Sequence, residues 1–501
     1  RLPWIKGNQM KTLTLTLSLC ATATLFSGCG SVADALSNLD NNQSIQQVAQ
    51  ADTLETQQNA QAGNRPNRND VSQTQPRFEQ ANNQQRPPNN QGRRPNNNQN
   101  IANDINTTAN FNVQGNQQNI PLVTTQNDAQ VSDKISLGEA LFNDTTLSAS
   151  RTTSCASCHN PQEAFIDSRE NAIIGASLGD DTLSLGDRNA PMVTYTAFIP
   201  SFTQTTNANN NNRPNNANRP NNANNNTNQR TRYSGGQFWD GRSSTLEDQA
   251  KGPFLNPIEM QMPDEASVIA RVSENSNYVS SMQALYGEDI FSSSTNAFNA
   301  IADAIATFER SSTLSTFDSK FDRARRGDIQ LSQQEQEGQR LFRQNRCTSC
   351  HDDRTRNNQA SLFTNFRYEN IGVPKNSELR ALNGVSSTFI DHGLLDNPEV
   401  TDNRQDGRFR VPSLRNVAVT APYTHNGSFK DLKTMVHFYN TRDVEGALNP
   451  QTNQPWEDSE VRNNRVGGAR VGNLNLSSEE EDAIVAFLKT LTDARYESLV
   501  D

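Results

Sequence analysis

The sequence predicts a mainly α-helical protein with two tandem domains of the same kind and long disordered segments rich in Asn and Gln. Three observations predict this fold class: a Cys-x-x-Cys-His motif at residues 155–159 and 347–351, a Gly-x-x-Leu-Phe pattern ahead of each copy, and two tracts with few apolar residues. Cys-x-x-Cys-His is the attachment signature of haem c, in which two thiols bond to the porphyrin vinyl groups and the histidine ligates iron. We therefore expect two tandem cytochrome c-like haem domains.

Two covalently bound haem c groups would use four of the six cysteines. The attachment residues would be Cys155 and Cys158 with His159, and Cys347 and Cys350 with His351. A zinc site or a redox-active cysteine pair could also be built from such thiols. Zinc would have to recruit two pairs from distant parts of the chain and would leave both histidines unexplained. The repeated spacing therefore favours haem.

The Gly-x-x-Leu-Phe repeats, at residues 138–142 and 338–342, are expected to lie on helices that lead the chain to each haem. Ser332 and Glu335 have the spacing of a capping box, in which each side chain binds the backbone N–H of the other residue. Apolar residues at helical spacing predict two further core helices, to which we assign no chemical role: 304–310 and 477–491.

The N-terminal region resembles a lipoprotein signal. Residues 12–26 are uncharged and mostly apolar or small, but too few to span a bilayer, and residues 25–30 resemble a lipobox with cleavage before Cys29. We expect residues 1–28 to comprise upstream residues and the signal peptide, and Cys29 to carry lipid. An ordinary signal peptide is the alternative. The protein would then face the periplasm of a Gram-negative bacterium, anchored to the outer membrane because Gly30 is not Asp.

Composition divides the remainder of the chain. Residues 29–128 are expected to be a disordered Asn/Gln-rich tether. An N-terminal haem domain would span 129–329, with an Asn-rich insertion at about 207–232, and a C-terminal haem domain would span 330–501. The insertion is basic, so the folded part is more acidic than the net charge of −10 implies. Nucleic acid is therefore not an expected partner.

Several motifs lie around the two haem sites. They are Asp-Arg-Asn-Ala-Pro at 187–191, Phe-Trp-Asp-Gly-Arg at 238–242, Leu246 with Gln249, Gly-Pro at 252–253, Pro-Ile-Glu-Met at 257–260, Val-Pro-Ser-Leu-Arg-Asn at 411–416 and Thr-Ala-Pro-Tyr-Thr-His-Asn-Gly at 420–427. In this order the chain resembles the bacterial di-haem cytochrome c peroxidase family, which includes MauG-like enzymes. The resemblance covers roughly residues 132–492.

The resemblance implies that the first haem, on His159, reacts with peroxide on an open distal face. Gln249 and Glu259 match the distal residues of the family, and Glu259 could carry a proton between the two peroxide oxygens. Alone, such a glutamate would more often be a solvated surface charge. Trp239 matches the tryptophan that passes electrons between the haems, although it could also be a core aromatic.

The resemblance further implies one calcium ion between the haems. Asn189, Thr420 and Pro422 match the family positions that bind it, through one side-chain oxygen and backbone carbonyls. Oxygen ligands from distant segments suit a hard cation, which would join the two domains.

Two positions depart from the classical peroxidases of the family. The loop 173–178 lacks the histidine that often closes the first haem, so this iron should be five-coordinate or water-bound. The second haem has a methionine ligand in those enzymes, 14 residues beyond the position of His425, where this chain has Tyr439 as in MauG-like members. A phenolate favours ferric and higher iron states. Met435, four residues earlier, is the alternative ligand.

The leading functional hypothesis is a peroxidase that reduces hydrogen peroxide to water with electrons from a small periplasmic donor protein, a cytochrome c or a cupredoxin. A first alternative is MauG-like oxidative modification of a partner protein. A second is a di-haem electron-relay cytochrome without catalysis. Relatives commonly dimerise, which leaves a homodimer open.

Overall fold

The structure is a computed structural model. It describes residues 110–111, 120–121, 129–169, 174–207, 230–354 and 360–500. The predicted signal peptide and Cys29 lie outside these residues, as do most of the predicted tether and of the Asn-rich insertion.

Helices dominate the described residues. They are α1 Ala129–Asn143, α2 Cys155–Cys158, α3 Leu246–Leu255, α4 Glu265–Ser273, α5 Ser276–Tyr286, α6 Ser294–Glu309, α7 Lys320–Arg326, α8 Gln333–Gln344, α9 Ser377–Leu382, α10 Leu432–Thr441 and α11 Ser478–Lys489. None of them is long and apolar enough to cross a membrane.

Strands are short and form four two-stranded antiparallel ladders in the described part of the chain. The pairs are β1 Asn110–Phe111 with β2 Ile120–Pro121, β3 Thr203–Asn207 with β4 Arg230–Ser234, β5 Tyr368–Glu369 with β6 Phe409–Arg410, and β7 Leu448–Asn449 with β8 Gln454–Pro455. The predicted mainly α-helical fold class is thus confirmed.

The repeated glycines explain how each domain is packed. A Cβ atom on Gly138 of α1 would lie 2.0 Å from the carbonyl oxygen of Ala304, and one on Gly338 of α8 would lie 1.8 Å from that of Ala483. Only glycine permits such a close approach of two backbones. The first and last long helices of each domain, α1 with α6 and α8 with α11, therefore cross at the same place in the repeat.

Local sequence signals set the helix ends. Ser332 caps α8 in a reciprocal capping box with Glu335, as the spacing predicts, and Ser477 caps α11 in the same way with Glu480.

Each domain has its own apolar core. Phe142 and Phe308 lie in the first core, and Phe342 and Phe487 occupy the corresponding places in the second.

Candidate functional site

The first Cys-x-x-Cys-His motif forms a single helical turn, α2, which begins after Ser154. The turn brings Cys155 and Cys158 to one side of the backbone, and the N–H of His159 donates to the Cys155 carbonyl at 2.9 Å. Nδ1 of His159 lies 3.2 Å from the carbonyl oxygen of Phe165. That hydrogen bond fixes the ring and leaves Nε2 as the free iron-binding atom. Burial lowers the pKa of His159, which favours the neutral form that ligates metals.

The second motif repeats this arrangement on a 3₁₀ turn, Cys347–Ser349. The N–H of His351 donates to the Cys347 carbonyl at 2.9 Å, and its Nδ1 lies 3.0 Å from the carbonyl oxygen of Phe363. Burial lowers the pKa of His351 to about 4, so the ring is neutral at physiological pH. Two distant segments therefore present the same ligand geometry.

A large cavity adjoins the second motif. Cys347, Cys350 and His351 lie on its wall together with Met435 and Tyr439 of α10. Apolar side chains, among them Leu362, Phe366, Val411, Ile484 and Leu488, complete the lining. Two thiols, a neutral imidazole and apolar walls are the donor set and surroundings that a covalently attached haem requires, so these residues fit that group.

Both proposed distal ligands of the second site, Tyr439 and Met435, line this cavity. Burial is the main cause that raises the pKa of Tyr439, and the thiols of Cys350 and Cys347 add to it, so the phenol oxygen lies near the attachment residues. The choice of Tyr439 over Met435 stays a prediction.

Glu259 lies near the first motif, in the turn that follows α3. Its backbone N–H donates to the Asn256 carbonyl at 3.1 Å, which fixes the turn. Its Oε2 atom is buried and has no hydrogen-bond partner among the described residues. Burial raises the pKa of Glu259, and its charge acts on the thiols of Cys155 and Cys158. A solvated surface charge would have none of these properties.

Gln249 lies on α3 itself, the helix that precedes this turn. Thr245 caps that helix by accepting from the Asp248 N–H at 3.2 Å, and Gln249 is half-buried one residue later. The helix and its turn therefore carry both predicted distal residues on one continuous segment.

Trp239, Asn189 and Pro422 are linked by hydrogen bonds on another part of the cavity wall. The indole N–H of Trp239 donates to the carbonyl oxygen of Asn189 at 2.8 Å. The side-chain amide of Asn189 in turn donates to the carbonyl oxygen of Pro422 at 2.6 Å. Thr420 lines the same cavity. The described residues contain no cluster of three or more His, Cys, Asp and Glu suited to a metal ion. The predicted calcium ligands are amide and carbonyl oxygens, a different class; Asn189 and Pro422 are in contact, and the calcium site stays a prediction.

A buried ion-pair network supports this region. Arg188, the neighbour of Asn189, donates to Asp240 at 2.6 Å and to Asp391 at 2.7 Å. Asp240 follows Trp239 in the chain and is buried. The network therefore joins two of the sequence motifs to a segment that is far away in the chain.

Three of the five histidines are not part of the Cys-x-x-Cys-His motifs. His425 lies on the cavity wall, stacks on Phe409 with ring centroids 3.5 Å apart, and has a pKa lowered to about 3 by burial. His437 binds Glu481 through Nδ1 at 2.8 Å, which gives it a structural role. His392 binds Asp406 at 2.7 Å on the surface.

Sequence reasoning missed two charged groups. Arg410 is buried on the cavity wall, where its Nε donates to the Phe238 carbonyl at 3.2 Å. Burial lowers the pKa of Arg410, yet the group stays cationic, which suits an acidic substituent such as a haem propionate. Glu309 is buried at the end of α6. Both stand in segments that look like ordinary strand and helix, so no local signal identifies them.

Two attachment sites of the same geometry in two helical domains define a di-haem c-type cytochrome. Comparison with known proteins gives the family. The family model of di-haem cytochrome c peroxidase matches residues 132–330, and that of cytochrome c matches residues 335–492.

Similar proteins of known name belong to the same family. The methylamine utilization protein MauG of Paracoccus denitrificans is 42% identical over 389 residues, which cover 76% of this chain and 95% of MauG. The cytochrome c551 peroxidase of Nitrosomonas europaea is 30% identical over 379 residues, 75% of this chain and 83% of that protein. The crystal structure of the diheme peroxidase BthA from Burkholderia thailandensis E264 has a TM-score of 0.62 at 27% identity, covering 76% of this chain and 92% of BthA.

The chain therefore belongs to the di-haem cytochrome c peroxidase family that includes MauG. Membership implies two covalently bound haem c groups and a redox enzyme.

Proposed function

We propose that the chain is a peroxidase in which hydrogen peroxide reacts at the first haem site and a small donor protein supplies electrons through the second. Bound haem supplies the iron at which peroxide is cleaved and the path for electrons. The observation that carries the proposal is the Glu259 carboxyl, buried beside Cys155 and Cys158 with an oxygen that has no partner in the described residues. A relay cytochrome has no need of such a group.

Glu259 acts as the proton carrier in this proposal. Because burial raises its pKa, the carboxyl can accept a proton from one peroxide oxygen and donate it to the other. The amide of Gln249, on the preceding helix, orients the peroxide through a hydrogen bond. Since no group of the described chain competes for Oε2, the carboxyl is available to its substrate.

Trp239 passes charge between the two sites. Its indole N–H is held by the Asn189 carbonyl, and the ring lies on the wall of the cavity of the second site. Asn189, Thr420 and Pro422 bind one calcium ion through oxygen atoms. The support is the proximity of two of these residues: the Asn189 amide lies 2.6 Å from the Pro422 carbonyl oxygen.

Tyr439 is the distal ligand of the second haem. We expect Tyr439→Phe to change the ferric spectrum of that haem and to raise its reduction potential, because an anionic oxygen donor is lost. Spectroelectrochemistry of the holoprotein measures both. Met435→Leu is the matched control on the same helix face. A Tyr439→Phe protein with an unaltered spectrum, beside an altered Met435→Leu protein, would make Met435 the ligand.

A second candidate function is oxidative modification of a partner protein. The observation that favours it is the relative with 42% identity, whose name is methylamine utilization protein MauG, against 30% for the cytochrome c551 peroxidase. Modification would begin with the same reaction of peroxide at the first haem site, and the oxidising equivalents would then be spent on side chains of the partner protein.

Peroxide added to the ferric holoprotein tests the proposal. We expect a change in the Soret and near-infrared bands, followed by steady turnover with a reduced small cytochrome c or cupredoxin. Turnover that depends on one protein substrate would instead support oxidative modification. If the spectrum of the ferric protein does not change when peroxide is added, the protein is an electron relay.

The same proposal locates the protein on the periplasmic side of the envelope, with a lipid at Cys29 that anchors it to the outer membrane. Its support is the signal-like sequence 10–30, which lies outside the described residues. Haem c attachment outside the cytoplasm agrees with this location.

A further inference from the structure

Glu309 is a buried carboxyl without an assigned role. It is the last residue of α6, its exposed fraction is 4%, and its Oε2 atom is buried with no hydrogen-bond partner in the described chain. Burying a carboxyl without such a partner is costly, and a native protein retains it only for a reason. The sequence had suggested nothing but a packing helix here.

The internal repeat shows what this position faces. In the first domain, Gly138 lies against Ala304 and Phe308 of α6. In the second, Gly338 lies against Ala483 and Phe487 of α11. The residue after each phenylalanine is Glu309 in α6 and Leu488 in α11.

Leu488 lines the cavity of the second haem site. Because each glycine contacts the alanine and phenylalanine at the same two places of its partner helix, Glu309 corresponds to Leu488 in the repeat, and we infer that it lies on the wall of the first haem site. A second observation agrees: after burial itself, the charge of Glu309 is the largest influence on the pKa of the Cys155 thiol. The carboxyl is therefore close enough to a haem-attachment residue to act on it through its charge, where the other domain has a hydrocarbon.

Few charged groups act on Glu309. Arg310 is its neighbour in the chain, but that guanidinium is paired with Glu247 of α3 at 2.5 Å. Burial raises the pKa of Glu309 to about 8; Arg310 opposes this change and Glu247 adds to it. Both protonation states of the carboxyl are thus accessible near neutral pH.

We propose that Glu309 couples a proton to the electron on the first haem. The carboxylate takes up one proton from solvent when the haem iron accepts one electron from the second haem, and it releases that proton when the iron is oxidised again. The physical reason is electrostatic: an added electron in a buried site favours the neutral form of an adjacent acid. The second haem has no acid at the corresponding position, because Leu488 stands there. The inference depends on haem attachment at Cys155 and Cys158 and not on the peroxide reaction.

The test is the midpoint potential of each haem in the holoprotein, measured by spectroelectrochemistry between about pH 6 and pH 10. This range brackets the raised pKa of the Glu309 carboxyl. In the native protein the potential of the first haem should fall as pH rises, with a slope of up to one proton per electron. In Glu309→Gln that slope should disappear. Redox-difference infrared spectra should lose the protonated-carboxyl band in the same variant.

Glu481→Gln is the matched control. Glu481 is also a buried carboxyl of the last helix of a domain, but it accepts from Asn440 at 2.7 Å and from His437 at 2.8 Å. Its replacement should leave the slope of the first haem intact. If Glu309→Gln does not fold, Glu309→Leu introduces the residue that the second domain carries there. A slope that persists in these variants, or that vanishes in Glu481→Gln as well, overturns the inference, whatever the peroxide activity.

Discussion

Glu259→Gln is expected to slow the reaction with hydrogen peroxide by about 10²–10⁴-fold, the usual contribution of a positioned acid–base group. Gln keeps the size and the hydrogen-bonding capacity of the side chain but cannot take a proton from one oxygen and give it to the other. Both haems should remain attached, because Glu259 binds neither thiol and its turn is held by the backbone bond to Asn256.

Stopped-flow spectroscopy of the ferric holoprotein measures the rate. Glu274→Gln is the matched control in the same domain, since that side chain is 53% exposed and its ion pair with Arg151 lies on the surface. We expect the control to react at the native rate. Equal rates for Glu259→Gln and the native protein would remove Glu259 from the mechanism.

The haem sites could be predicted from the sequence because their chemistry is local. Two thiols and an imidazole within five residues specify one covalent group. The glycine at position 338 indicates a close helix crossing, because a residue with a Cβ would not fit there. The importance of Glu259, by contrast, came from resemblance. Only the folded chain gives its physical basis, which is an oxygen buried without a partner.

What could not be predicted depends on residues that are distant in the chain. Arg188 meets Asp391, 203 positions away, and Asn189 meets Pro422, 233 positions away. Neither pair has a signal in its own segment, and only the family resemblance linked Asn189 with Pro422. Glu309 followed by Arg310 at a helix end has the appearance of an exposed charged pair. In the folded chain Glu309 is nevertheless buried, and Arg310 pairs with Glu247.

Arg415 is a further case in which a motif residue acquires its role from a distant partner. Its side chain is completely buried and forms two hydrogen bonds with Asp322, one of them 2.9 Å long from Nη2 to Oδ1. Nε also donates to the carbonyl oxygen of Ser361 at 2.8 Å. The guanidinium lies over the ring of Tyr195, 5.5 Å from its centroid. One cation thus joins three separate segments of the chain.

Arg415→Met is expected to lower the free energy of unfolding by about 3–5 kcal/mol, the usual cost when one partner of a buried ion pair is removed. Asp322 would remain as a buried carboxylate without its cation. Burial by itself would raise the pKa of Asp322, and Arg415 is the main cause that holds it low. Denaturant unfolding of the holoprotein measures the loss.

Arg462→Met is the control, because Arg462 is 72% exposed and pairs with Asp458 on the surface. Its loss should change the free energy of unfolding by less than about 0.5 kcal/mol. Adding Asp322→Leu to Arg415→Met should restore part of the stability, because an apolar pair can replace a buried ion pair of similar volume, although the hydrogen bonds from Ser319 to Asp322 are lost as well. An Arg415→Met protein as stable as the Arg462→Met control would mean that packing around the ring of Tyr195, and not the charge pair, holds these segments together.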